Sequence, residues 1–583
     1  MDTVEGMKIP RRLLVAAAAM AMVGCAGRSS LDLVDLALMA PERTDVASPA
    51  DFATPGSYIR PAPPLLDVSA EAKAWFDRGL LWMYSFNHDE AIRCFVTAQA
   101  LAPGYAMAHW GEAHCHGPNI NDAILDAPRT RLGYEAARRA VELKDTVGVA
   151  PIEAALIVAE SRRFPAEFQA DRTAQDEAYA LEVATIAARH PDDADLAALA
   201  AEARLVVHPW DQWDADHRPL HDTEIIVSGL ERALARFPEH PGLHHFYIHT
   251  MENSSVPERA LPSAKILPSL APGAGHMVHM PAHIYQRVGM YEAAFAANVA
   301  ASAVDRRYFE VAPPQGLYHF YFIHNLHFEA WSAMYMGREE DAVRAAQSIE
   351  DETPVALLEE LAGWLDAYLA VPMHVSVRFG RWEEVLAAPA RDERFPIYNA
   401  LRHYARGVAL AATGHTMEAR EEQVAYRAAA SLVVDGMTVG INPAPPVMAV
   451  ADAMLEGEIA YREERFDAAF LSLRRAVLLE DDLRYDEPSP WMQPVRHALG
   501  ALLLEQGRAE EAEQVFVADL VRHPENGWAL LGLQQALEAQ QKAGPARKAR
   551  KRFEQAWATA TVEIAAPCFC ATGAAPMSAA SDD

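Results

Sequence analysis

The chain of 583 residues is long enough for several domains or one extended array, and its 51% apolar content excludes a disordered protein. Its 81 acidic residues against 51 basic ones leave a formal net charge of −30, which argues against nucleic acid as a partner, because phosphates would be repelled over most of the surface. Five cysteines are too few for a disulfide framework to hold a fold of this size, so packing must do so.

At the amino terminus Lys8, Arg11 and Arg12 form a basic head. Leu13 to Val23 form an apolar stretch short of a comfortable membrane span, and Gly24 stands before Cys25. This order resembles a bacterial lipoprotein signal, with "MVGC" as the lipobox and Met22 in place of the usual leucine. The resemblance implies that Cys25 is acylated as the new amino terminus. Asp2 and Glu5 fit a signal head poorly, which points to Met7 as the start. Residues 1–25 are then the signal peptide, and the expected location is the cell envelope, with the exported chain tied to a membrane by lipid. Residues 26–68, which include "TPGSYIRPAPPLL", are rich in proline, lack helical period and read as a linker.

From Ala72 the chain repeats itself. Trp75, Gly79, Ala91, Phe95, Ala98 and Pro103 fall at positions 4, 8, 20, 24, 27 and 32 of a unit of about 34 residues. Small residues at Gly79 and Ala91 suit the crossing of two antiparallel helices, Phe95 fills the gap to the neighbour, and Pro103 ends the second helix. This constellation resembles the tetratricopeptide repeat. Later units keep parts of it through Gly289, Tyr291, Ala294 and Ala301, through the turn glycines Gly337, Gly380 and Gly414, and through Gly457, Ala469, Gly500, Ala512, Phe516 and Pro524, with a last helix pair from about Trp528. Between about 118 and 240 only helical periodicity survives. The resemblance implies an all-α fold, a tetratricopeptide-like α-solenoid of antiparallel helix pairs in a right-handed superhelix, over residues 69–560, followed by a flexible tail at 561–583.

The repeat frame gives the histidines addresses. With Gly289 at position 15, His276, His279 and His283 fall at positions 2, 5 and 9, within about 60° of one another on a helix. The packing positions Val278, Ala282 and Tyr285 lie on the other side. In the preceding unit His245, His249 and Glu252 share one face, and in the following unit His324 and His327 occupy positions 2 and 5. In the tetratricopeptide family, positions 2, 5, 9, 12 and 13 line the concave groove. The resemblance therefore implies a ligand-binding groove of His245, Glu252, His276, His279, His283, Gln286, Arg287, His324 and His327.

Pairs at i, i+3 and i, i+4 have the spacing with which a helix offers two ligands, so His245, His249, His279, His283, His324 and His327 are candidate ligands of a metal. Zinc is the default for imidazole and carboxylate, and copper is the other candidate because Met251, Met277 and Met280 lie in the same helices. Without a metal the same face suits a peptide or small organic ligand, and buried structural histidines are the third reading. Pro281 inside the helix predicts a kink, repeated at Pro372 beside His374. The function this supports is an envelope-anchored binding or scaffolding protein with a histidine-rich groove. The alternative is a metal-dependent, hydrolase-like enzyme with Glu252 as general base. Weaker signals are His114, Cys115 and His116, which look like a soft-metal set, His497 at a groove position, and Cys568 and Cys570 of "PCFC", which could clip a metal, pair by oxidation or be incidental. There is no Gly-rich phosphate loop, nucleophile elbow or zincin motif.

Overall fold

A computed structural model describes residues 55–60, 68–312, 316–360 and 362–571. Cys25 and the whole signal segment lie outside the described residues. No helix among the described residues is long and apolar enough to cross a membrane.

The described chain is a succession of antiparallel α-helix pairs from Ala70 to Ala556, with one two-residue β-ladder, Thr438–Val439 against Asn442–Pro443. The fold is therefore all-α and tetratricopeptide-like, as the repeat predicts. Two compact units divide it. The first holds the described residues up to Ile284 together with Val299–Phe322, and the second holds Tyr285–Asn298 and the described residues from Ile323 onward.

The pair Ala70–Tyr84 and His88–Leu101 shows how sequence makes the repeat. The Ser69 hydroxyl accepts from the Ala72 amide at 3.1 Å, and the Asn87 side chain accepts from the Glu90 amide at 3.2 Å, so each helix begins on a capped turn. The Phe95 ring lies where a Cβ on either Gly79 or Gly111 would come within 2.6 Å of it. One aromatic residue is thus clasped between a glycine of its own unit and one of the next, which is the contact that stacks successive units. In the second unit Phe516 is held in the same way by Gly500 and Gly532.

Each helix turn at position 15 needs a left-handed residue. Gly289, Gly337, Gly380, Gly414 and Gly507 supply it, with φ between 67° and 86°. Gly414 has open space around its missing side chain, so Gly414→Ala isolates the backbone cost, an expected loss of about 1–2 kcal/mol. Gly414→Asn should recover part of that loss in a urea titration, because asparagine tolerates this conformation better. Equal midpoints for the two variants would refute a conformational origin.

The stretch between 118 and 240 is helical too, but its pairs are joined by long connections at 116–126, 164–172 and 208–222 in place of four-residue glycine turns. That is why the turn signature is missing from the sequence there. Buried charge pins the first of these loops at two successive carbonyls. Arg129 Nη2 donates to the Gly117 carbonyl at 3.1 Å, and Arg163 Nη2 donates to the Pro118 carbonyl at 2.8 Å.

Two expected boundaries shift. Residues 55–60, read as linker, pack into the first unit, where Tyr58 donates to Asp195 at 2.8 Å and Arg60 is buried against the same carboxylate at 3.1 Å. Residues 561–571, read as flexible tail, lie against the second unit, where the Glu339 amide donates to the Thr561 hydroxyl at 3.1 Å and Phe569 packs on Gly380.

Candidate metal centre

Five of the histidines singled out by the repeat frame meet inside the first unit. Pro241 occupies the first turn of the helix Pro241–Met251, where its missing N–H costs nothing, and the His240 ring caps the helix by accepting from the Leu243 amide at 3.2 Å. His245 and His249 follow one turn apart on the same face. His276 and His279 stand on the short helix Gly275–His279, and His283 on Pro281–Arg287, the two segments being separated at Met280 by the predicted proline break. Gly275 is required there because the Asp305 carboxylate fills the space a Cβ would take.

The three imidazoles of His245, His249 and His276 converge, each offering one ring nitrogen within 4.8 Å of the others. His245 Nε2 and His276 Nε2 are 3.1 Å apart. Tetrahedral coordination at about 2.0–2.1 Å per nitrogen implies ligand nitrogens about 3.3 Å apart, so these two stand close to the required separation.

The opposite edges of two of these rings are fixed. His245 Nδ1 lies 2.6 Å from the Tyr84 carbonyl, which can accept but not donate, so the proton sits on Nδ1 and Nε2 presents its lone pair. His249 Nδ1 lies 3.2 Å from Glu252 Oε1, which assigns the same tautomer, and His249 Nε2 is buried with no hydrogen-bond partner. A carbonyl or carboxylate behind each ring is the arrangement that orients metal-binding histidines. Burial holds all three pKa values well below the usual histidine range, and the neighbouring rings push the same way, so the imidazoles are neutral and able to ligate.

Support extends outward from the rings. The hydroxyl of Tyr84 donates to Asp195 at 2.5 Å, and Asp195 also faces Arg60 and His240, so the residue whose carbonyl fixes His245 is itself anchored. Glu252 Oε2 lies 3.1 Å from His283 Nδ1, and His283 Nε2 lies 2.8 Å from His279 Nε2. One carboxylate thus orients His249 and His283 together.

The walls are aromatic. Phe86 stacks on His249 and His276 with centroids 5.9 and 5.8 Å apart and leans on His245 at 4.6 Å, while Tyr321 stacks on His276 at 4.5 Å. Phe86 has φ 56°, and Trp210, at φ 60°, meets His249 edge-on at 5.5 Å. Bulky residues in the left-handed region carry a conformational cost of about 1–3 kcal/mol, tolerated where the surroundings over-determine it, and here both point at the same imidazole. Sequence reasoning missed Phe86, Trp210 and the Tyr84 carbonyl. A signal for Phe86 existed, since it fills the turn position where most other units have glycine.

Several expectations need correction. His245, His249, His276, His279 and His283 do not line an open groove. They are between 0% and 4% exposed, sealed by Phe86 and the neighbouring helices, because the helix Ala70–Tyr84 packs against Pro241–Met251. Glu252, expected as ligand or general base, is 1% exposed, with one carboxylate oxygen facing His249 Nδ1 and the other His283 Nδ1.

Gln286, Arg287, His324 and His327 belong to the second unit. There Gln286 and Arg287 neighbour the buried carboxyl of Glu487, whose pKa burial raises while Arg287 and Gln286 pull it down. His324 lies edge-on to Phe328 at 5.3 Å. His327 packs on Tyr368 and lines a cavity of about 30 Å³ with His374, and burial lowers its pKa to about 3.

His114, Cys115 and His116 do not form a soft-metal set. His114 bridges Glu160 and Glu202 at 3.2 Å each, burial raises the Cys115 thiol pKa well above its usual value, and His116 is fully buried. His497, also expected on the groove, is buried in the second unit between Asp519 and Arg378.

The tetratricopeptide repeat family model matches residues 72–105, the unit in which Phe95 is clasped by two glycines. No curated protein matches the chain. Among solved structures it is similar to the human IFIT1 dimer with PPP-AAAA, at 9% identity, TM-score 0.30, 84% of this chain and 91% of that one. It is also similar to the human IFIT1 dimer with m7Gppp-AAAA, at 10% identity, TM-score 0.30, 86% of this chain and 91% of that one. A third is the APC/C hetero-tetramer Cut9-Hcn1, at 11% identity, TM-score 0.27, 84% of this chain and 74% of that one.

Proposed function

We propose that this chain is a tetratricopeptide-type scaffold for protein or peptide partners whose first unit is closed by a transition metal, zinc in the first instance, bound to His245, His249 and His276. The observation that carries the metal is the pairing of outward-fixed tautomers with converging inner nitrogens. Two rings are held by the Tyr84 carbonyl and Glu252 so that their lone pairs face His276. An all-imidazole neutral set suits zinc and copper, and Met251, Met277 and Met280 are fully buried core residues. The metal ties the helix Pro241–Met251 to Gly275–His279, and the Tyr84 carbonyl, 161 residues before His245, joins the first repeat to the same centre by a hydrogen bond. Its role is to hold the packing of the first unit rather than to do chemistry, since the centre is sealed and Glu252 is engaged. Export and lipid attachment through Cys25 complete the proposal, which places the scaffold at the cell envelope.

The test is metal analysis of untagged protein reconstituted with zinc and dialysed. About one equivalent should remain in the wild type and in His327→Ala and should be lost in His249→Ala, with a matching fall in melting temperature on chelation. Metal-free wild-type protein, or a melting temperature indifferent to chelator, would rule the centre out.

A further inference from the structure

Cys568 and Cys570 are joined as a disulfide within the segment that packs on the second unit. Three features make this pair different from a surface staple. Cys570 is 2% exposed while Cys568 is partly open, so one sulfur can be reached and the other cannot. The Cys570 amide donates to Cys568 Sγ at 3.1 Å, a bond that favours the thiolate of Cys568 when the pair is reduced. The carboxyl of Glu458, 1% exposed, lies within 4.8 Å of both sulfurs, and its Oε1 has no hydrogen-bond partner.

The surroundings hold this geometry. Arg462, one turn beyond Glu458 on the helix Ala444–Arg462, donates to the Cys570 carbonyl. Phe569 between the cysteines seats on Gly380 and meets Trp528 edge-on at 6.0 Å. Burial raises the pKa of Glu458 to about 7, with Glu505 adding to the rise and Arg462 opposing it, so the carboxyl is protonated in a good fraction of molecules at neutral pH. Cys94 and Cys115, by contrast, are buried thiols in the first unit whose pKa values burial pushes well up, which makes them unreactive.

We propose that Cys568 and Cys570 are a redox-active pair that oxidises a dithiol, with Glu458 as the proton donor to Cys570. A substrate thiolate attacks the reachable Cys568 Sγ, the disulfide breaks, and Cys570 departs as a thiolate that takes the proton of the Glu458 carboxyl. The substrate's second thiolate then attacks its own sulfur in the mixed disulfide and expels Cys568 as a thiolate, stabilised by the Cys570 amide. The substrate leaves as a disulfide, having lost two electrons and two protons, and the pair is left reduced, with Glu458 reprotonated from solvent. A buried acid beside the inner sulfur avoids leaving an unneutralised thiolate in an apolar site.

The experiment uses the full chain and dithiothreitol as the dithiol, following single-turnover reduction by thiol release. Wild type should be reduced in one phase. Glu458→Gln should slow that phase by about 10²-fold at pH 7, with its melting temperature unchanged. With oxidised glutathione, reduced Cys570→Ser should trap one glutathione on Cys568, while Cys568→Ser should trap little on the buried sulfur. A Glu458→Gln rate equal to wild type would overturn the proton-donor role, and equal trapping by the two cysteine variants would overturn the assignment of the attacked sulfur.

Discussion

Glu252→Gln should weaken zinc binding to the first unit by about 10- to 100-fold, although Glu252 would not touch the ion. Its two oxygens face His249 Nδ1 at 3.2 Å and His283 Nδ1 at 3.1 Å. A glutamine can accept from one of these rings but presents its amide N–H groups to the other. The ring facing the amide must turn or change tautomer, and if that ring is His249 its lone pair no longer points at the centre. The carboxylate also favours the partial positive charge that a ligating imidazole acquires, and a neutral amide removes that attraction. Competition against a chromophoric chelator measures the change directly. Unaltered affinity in Glu252→Gln, alongside loss in His249→Ala, would mean that the imidazoles ligate without the outer carboxylate. Unaltered affinity in both would remove the centre altogether.

How much of this centre was legible in the chain follows from the range of its contacts. The repeat frame placed His245 and His249 on one helical face and His276, His279 and His283 on another, because those relations are set by helical period. The proline break at Pro281 was legible for the same local reason. The frame assigned both faces to an open groove, since in a repeat stack each unit touches its neighbours. The contact that seals them is of another kind. The helix Ala70–Tyr84 packs against the helix Pro241–Met251, and Phe86 reaches His276 from a turn that most other units fill with glycine. No period encodes a contact of that separation. The degenerate stretch hides its pairs for a simpler reason, because long loops, the first of them pinned by Arg129 and Arg163, replace the glycine turns by which the repeat is recognised.

The second large effect concerns the buried charges beside that pinned loop, on the helix Pro151–Arg163. Glu160→Ala should cost about 3–5 kcal/mol, among the heaviest losses available to a single substitution in the first unit. Glu160 is fully buried and pairs with His114 at 3.2 Å and Arg163 at 3.5 Å, while Arg163 also lies 4.5 Å over the Tyr179 ring. Removing the carboxylate takes away one partner from each of two buried cations, leaving His114 with Glu202 at 3.2 Å and Arg163 with Asp176 at 3.8 Å. The pH dependence gives a second signature. Burial alone would pull the His114 pKa down, but the carboxylates of Glu202 and Glu160 outweigh it and raise the pKa to about 9. A folded pKa above the unfolded value of about 6.5 binds a proton more tightly in the native state. The resulting stabilisation is fully present below pH 6.5 and is lost as pH rises through 9, an effect of the order of 3 kcal/mol. Glu160 itself has its pKa lowered, burial opposing but His114 and Arg163 prevailing, so its share is present at neutral pH and is lost on acidification below the ordinary glutamate range. Urea titrations of wild type at pH 6.5 and pH 9.5 should therefore show a clear fall in midpoint, and Glu160→Ala should start lower and fall less, because His114 then has Glu202 as its remaining carboxylate. Parallel falls in the two proteins would show that His114 does not draw its proton affinity from Glu160.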